Sequence, residues 1–88
     1  MKYGDARIII RQGSRILDES PEIEWYSGGE LYTHPKRIKI NGIWEDVFQY
    51  EKLLKENEKQ QRETVFRCHI GDNRIVEVVI SQGKQSNV

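Results

Sequence analysis

Eighty-eight residues make one small domain, and a chain of this length buries only about 60–65% of the surface its unfolded form exposes, so its core is thin. Fourteen basic residues balance fourteen acidic ones, which argues against a surface tuned throughout for nucleic acid or anionic lipid. Charged residues are 32% of the chain against a typical share of about 25%, and the surplus belongs on solvated faces.

The single cysteine excludes an internal disulfide and fits a reducing compartment. Ile8-Ile9-Ile10, flanked by Arg7 and Arg11, is too short for a signal-peptide core or a membrane span. The expectation is a soluble cytoplasmic protein with no membrane partner. Charge is arranged in blocks: residues 1–17, 31–44 and 59–88 are net basic, and 18–30 and 45–58 are net acidic. Alternating blocks of this kind become complementary neighbours within a sheet more often than they become a binding face.

Residues 6–12 read as a strand rich in β-branched side chains, with three consecutive isoleucines that call for cover on both faces. Gly13-Ser14 suits a two-residue type II′ turn, after which residues 15–19 return alongside. Residues 20–34 admit two readings. Glu22-Ile-Glu-Trp-Tyr26 alternates like a strand, yet Ser20-Pro21 could cap a short helical turn. Gly28-Gly29 marks a turn, and residues 30–33 suit a short edge strand that ends before Pro35.

Asn41-Gly42, between two alternating runs, is the strongest hairpin signal in the chain, because both residues tolerate the positive φ of a type I′ turn. A two-residue loop pairs Ile40 with Ile43, Lys39 with Trp44, Ile38 with Glu45 and Arg37 with Asp46. One face then carries Ile38, Ile40, Ile43 and Val47, and the other carries Arg37, Lys39, Trp44, Asp46 and Phe48. Glu45 is the misfit opposite Ile38.

Residues 50–62 have helix-forming composition and a Glu51–Lys55 pair at i,i+4, but the apolar stripe is only Tyr50, Leu53 and Leu54. A short helix near 50–56 and a solvated excursion back to the sheet are expected. In the closing hairpin, Gly71-Asp72-Asn73 forms a three-residue loop with Asn73 left-handed. It pairs Cys68 with Val76, Phe66 with Val78 and Arg67 with Glu77. The predicted whole is an all-β, mainly antiparallel domain over 1–81, with about six strands in successive hairpins forming a small barrel-like sheet, followed by a flexible polar tail at 82–88.

Pro35-Lys-Arg-Ile-Lys-Ile-Asn-Gly-Ile-Trp-Glu-Asp-Val47 resembles the core motif of an uncharacterised family of small bacterial β domains. The matching positions are Pro35, Lys36, Arg37, Ile38, Ile40, Gly42 and Val47, and the closing hairpin over 65–79 is similar as well. Some relatives in that family lie beside proteins similar to lesion-bypass DNA polymerases, so the resemblance implies a link to DNA metabolism. It implies no catalytic residue. Ile38 and Ile40 stand where the family commonly has aromatics, and Glu45-Asp46 where it has basic residues.

No constellation here supports catalysis, a cofactor or a metal. Adjacent strand residues Cys68 and His69 point to opposite faces, which places Cys68 in the core and His69 at the surface. His34 lacks a cysteine or carboxylate at metal-ligand spacing, and Gly28-Gly29 lacks what a phosphate loop requires. The carboxylates have basic neighbours, as on a solvated face. The chain is therefore expected not to be an enzyme.

One grouping rises above background: Lys36, Arg37, Lys39 and Trp44. Cations beside an indole can track a phosphate backbone while the ring stacks a base; the alternative is that Trp44 packs in the core and the basic stems lie over it. A thin core with Trp25, Tyr26 and Tyr32 to bury points first to a non-catalytic module that binds a protein partner or self-associates. A nucleic-acid-binding module using Lys36, Arg37, Lys39 and Trp44 is the alternative.

Overall fold

The computed structural model describes residues 7–26, 34–56 and 62–81. Eight strands account for most of them: β1 (Arg7–Gln12), β2 (Arg15–Asp18), β3 (Ile23–Tyr26), β4 (His34–Ile40), β5 (Ile43–Asp46), β6 (Gln49–Glu56), β7 (Arg62–Ile70) and β8 (Arg74–Ser81). All pairings are antiparallel. One sheet has five strands in the order β2-β1-β8-β7-β6, and the other has three in the order β3-β4-β5.

The β7–β8 hairpin supplies the middle of the larger sheet. Asp72 and Asn73 both take positive φ, 61° and 57°, and the loop sets Cys68 against Val76, Phe66 against Val78 and Arg67 against Glu77. Directly opposed residues share a face. Phe66, Cys68, Ile70, Val76, Val78 and Ile80 therefore bury together, and Ile10 of β1 joins them from the far side of β8. The smaller sheet closes this core with Ile38 and Ile40, and Ile23, Trp25 and Val47 pack at its margin. The run of isoleucines resolves as Ile8 and Ile10 toward the core and Ile9 on the opposite face, all buried or half-buried.

Two further turns hold the expected sign of φ. Gly13 has φ +62 in a two-residue loop that pairs Gln12 with Arg15. Asn41 and Gly42 have φ 53 and 81, and the β4–β5 register is the one the turn selects, from Ile40 opposite Ile43 to Arg37 opposite Asp46. The misfit at Glu45 is resolved from the other sheet. Arg74 Nη2 donates to Glu45 Oε2 at 2.8 Å, so the half-buried carboxylate ties the small sheet to the start of β8.

Several expectations need correction. Residues 50–56 form no helix; they lie in β6, paired along its whole length with β7 from Gln49–His69 to Glu56–Arg62. The helical stripe was too narrow to be worth burying, and the strand satisfies a whole side of its backbone on β7. Glu22-Ile-Glu-Trp-Tyr26 contributes a strand to the small sheet, not a helical turn, and Asp18 Oδ1 accepts from the Ser20 amide ahead of it. With both segments extended, the described strands number eight and not six. The sheet is also not barrel-like. The chain changes sheets at Val47–Phe48, where the Val47 amide still donates to Lys36 O and the Phe48 amide to His69 O. Among the described residues β2 and β6 remain unpaired outer edges, so neither sheet closes. The Gly28-Gly29 turn, the strand at 30–33, Tyr32, most of the excursion after β6 and the tail at 82–88 lie outside the described residues. No helix among the described residues is long and apolar enough to cross a membrane.

Candidate interaction surfaces

Alternation along β4 sends Ile38 and Ile40 inward and Arg37 and Lys39 outward, and the type I′ register brings Trp44 across from Lys39. Three of the four grouped residues thus meet on the outer face of the small sheet. Trp44 is not a core residue: it keeps 40% of its surface exposed, with the Arg37 guanidinium carbon 5.2 Å and the Lys39 ammonium 5.8 Å from its ring centroid. Lys36 is the extra residue of an irregularity in the β3–β4 pairing, where Glu24 opposes Arg37 and Trp25 opposes Pro35, and its ammonium reaches toward Glu24 beside Arg37. Phe48 leaves the face altogether, because it has crossed to the larger sheet.

The cations on this face already have partners. Arg37 Nε donates to Glu24 Oε1 at 2.6 Å, Lys39 Nζ lies 3.4 Å from Glu22 Oε1, and Lys36 Nζ lies 3.9 Å from Glu24 Oε2. The acidic block before residue 30 is laid against the basic block after it, as the charge pattern foretold. Any phosphate would have to displace these carboxylates.

A second surface has no counterpart in the sequence reading. His34 opens β4 between two tyrosines, its ring stacked on Tyr50 (4.2 Å between centroids, 15° between planes) and on Tyr26 (4.9 Å, 23°). Tyr50 continues edge-on to Phe66, which Trp25 meets edge-on from the other side. Burial pushes the His34 pKa down, and its Nδ1 is buried without a hydrogen-bond partner among the described residues. Burial thus disfavours the charged ring, as suits a stack between two tyrosines. A proximity of this kind depends on the sheet order and leaves no local sequence signal.

The third surface lies along β6 and the face of the larger sheet turned away from the core. Seven of the eight β6 residues are exposed and the eighth, Leu53, is half-buried. Phe48 and Leu54 keep 71% and 76% of their surface exposed, and Tyr50, Lys52 and Leu54 line one side of the strand. On the outer face a straight row of alternating charge crosses four strands. Arg11, Glu77, Arg67 and Glu51 oppose one another in turn. Arg11 Nη2 donates to Glu77 Oε1 at 2.6 Å, Arg67 Nε lies 3.5 Å from Glu77 Oε2, and Arg67 Nη1 lies 3.6 Å from Glu51 Oε1. Burial alone would raise the Glu77 pKa; the hydrogen bond from Arg11, with the charges of Arg11, Arg67 and Lys55, outweighs it and holds the carboxyl below its ordinary range. Beside this row runs an apolar one, Ile9, Val79, Val65 and Leu53.

The thiol is no candidate for chemistry. Cys68 is fully buried, its Sγ 3.5 Å from Phe66 O, and burial pushes its pKa up to about 12. Among the described residues no group of three or more His, Cys, Asp or Glu side chains is placed to hold a metal ion. A polar cleft of about 290 Å³ lies between the β1–β2 and β4–β5 turns, lined by Gln12, Arg15, Leu17, Ile40, Asn41 and Arg74 among others. Its Arg74 is committed to Glu45 and to Gly71 O. No protein-family model, no curated protein and no solved structure matches this chain.

Proposed function

We propose that the chain is a non-catalytic protein-association module that works through the exposed edge of β6. One observation carries this reading: an eight-residue edge strand, paired on one side only among the described residues, with Phe48 just before it and Leu54 near its end both presented to solvent. An edge strand offers a row of backbone donors and acceptors to an incoming strand, and flanking apolar side chains add area to that pairing. The test compares the full chain with a Phe48→Lys, Leu54→Lys variant whose circular dichroism is unchanged. Sedimentation alone, and capture from an extract of the source cells, should show association for the parent and little for the variant. A parent that stays monomeric and captures nothing the variant does not capture overturns the reading.

A nucleic-acid-binding module using Lys36, Arg37, Lys39 and Trp44 is the second reading, favoured by the half-exposed Trp44 ring between two cations. Its glutamate partners favour the first. Binding of single-stranded DNA at low salt, lost in a folded Lys36→Glu, Lys39→Glu variant, would support the second; a parent that does not bind at low salt would end it.

A further inference from the structure

We infer that the occupant of the β6 edge is a second copy of this chain, paired antiparallel through β6 with Leu53 on the two-fold axis. The inference rests on the edge reading above and adds to it a partner and a register.

In an antiparallel pair of identical strands, directly opposed residues share a face, so the sum of their numbers is even and one residue meets itself on the axis. With Leu53 there, Glu51 opposes Lys55 of the second copy, and Lys55 opposes its Glu51. Lys52 then lies beside the other copy's Leu54, and Tyr50 beside its Glu56. All residues from 50 to 56 find a partner within the described strand. Moving the axis to Lys52 sets two ammonium groups face to face. Moving it to Leu54 sets Leu53 against Lys55 and leaves Tyr50 and Glu51 without a partner in β6.

The rows on the outer face supply the stronger argument. Arg11, Glu77, Arg67 and Glu51 alternate in sign and stop at the β6 edge on a negative charge. In the Leu53 register the next residue is the second copy's Lys55, which opposes Glu63 in its own sheet. The alternation continues across the interface through Lys55 to Glu63 and ends at the neutral Ser81. The apolar row behaves the same way: Ile9, Val79, Val65 and Leu53 continue into the same four residues in reverse order. Lysines on an edge ordinarily discourage strand pairing. Here Lys52 and Lys55 discourage the registers centred on either of them, and the Leu54 register, although it sets Lys52 against Glu56, gives up two pairs. Each copy uses the one long free edge among its described strands, so the assembly closes as a dimer and does not grow.

The experiment uses the full chain under reducing conditions in sedimentation equilibrium, with Glu51→Lys and Lys55→Glu as single variants. The parent is expected to dimerise. Each reversal turns two attractions into two repulsions and should weaken the dimer about tenfold or more. An equimolar mixture of the two variants restores both pairs and should recover the parent's affinity. Leu53→Cys should form a disulfide-linked dimer on oxidation and Leu54→Cys should not, since the buried Cys68 stays inert in both. The cysteine variants leave the charges intact, and their result decides the register if a charge reversal unfolds the chain. A dimer indifferent to both reversals, or cross-linked through 54 and not 53, overturns this register and leaves self-association standing. A parent monomeric throughout overturns the second copy. Extract capture then decides the edge reading separately: capture lost in the Phe48→Lys, Leu54→Lys variant keeps that reading, and absence of capture ends it.

Discussion

β6 and β8 flank the same strand, have the same length and pair with β7 along their whole extent, yet they live in different surroundings. β8 lies between two neighbours and buries Val76, Val78, Val79 and Ile80; β6 has one neighbour among the described strands and buries no residue fully. Their compositions follow suit, β-branched in β8 and rich in Lys, Glu and Leu in β6. Intrinsic preference and position agree in β8. In β6 position prevails, because pairing with β7 satisfies half of its backbone whatever its side chains prefer.

The largest expected break in this contrast is Phe66→Ala on the strand they share. Phe66 is fully buried, with Trp25 and Tyr50 edge-on to its ring and Lys52 Nζ 5.9 Å from its centroid. The loss should be about 3–5 kcal/mol, read as a shift in the denaturant midpoint, enough to leave a domain of this size largely unfolded. Gly42→Val should cost about 1–2 kcal/mol. A Cβ there meets open space, so the penalty is strain at φ +81 alone, and an unchanged melting temperature would refute the type I′ turn.

The charged row carries the contrast from the interior to the edge. Glu77→Gln, in β8, should cost about 1 kcal/mol at neutral pH, whereas Glu51→Gln, in β6, should cost only about 0.3 kcal/mol. The folded Glu77 pKa lies below the unfolded value of about 4.3, so the stabilisation is complete above that pH and is lost as pH falls through the folded value. The parent and the Glu77→Gln variant should therefore converge in stability once the pH has fallen below the folded pKa of Glu77. The smallest effect belongs to Leu54→Ala, within about 0.5 kcal/mol for the dilute chain, since the side chain already faces solvent. A cost near that of Phe66→Ala would mean that β6 is no edge.

The sequence carried what its turns could specify locally. Asn41-Gly42 and Gly71-Asp72-Asn73 each determine a register, and each register sorts its neighbours into buried and exposed sets, including Cys68 inward and Arg67 toward Glu77. The candidate grouping of Arg37, Lys39 and Trp44 followed from the same logic. What escaped were features decided by strands distant in sequence. β6 needed β7 to be a strand at all. Trp44 could be placed outside the core only once Trp25 was seen packing on Phe66. Glu22 and Glu24 became partners of the cations only when residues 22–26 had chosen extension over a helical turn. The row from Arg11 to Glu51 required the order of the larger sheet, of which the sequence disclosed one contact.

That order has a consequence for how the chain acquires its shape. The central strand of the larger sheet, β8, is the last in the described sequence, and Arg11 reaches Glu77 across 66 residues. On a ribosome β1 and β2 emerge first and must wait as an isolated hairpin, which is marginal in water, until nearly all of the chain has followed. The β3–β5 sheet and the β7–β8 hairpin need only local closure. Joining β1 to β8 is the slow, high-contact-order event, and until it happens the run Ile8-Ile9-Ile10 is the segment most exposed to misassembly.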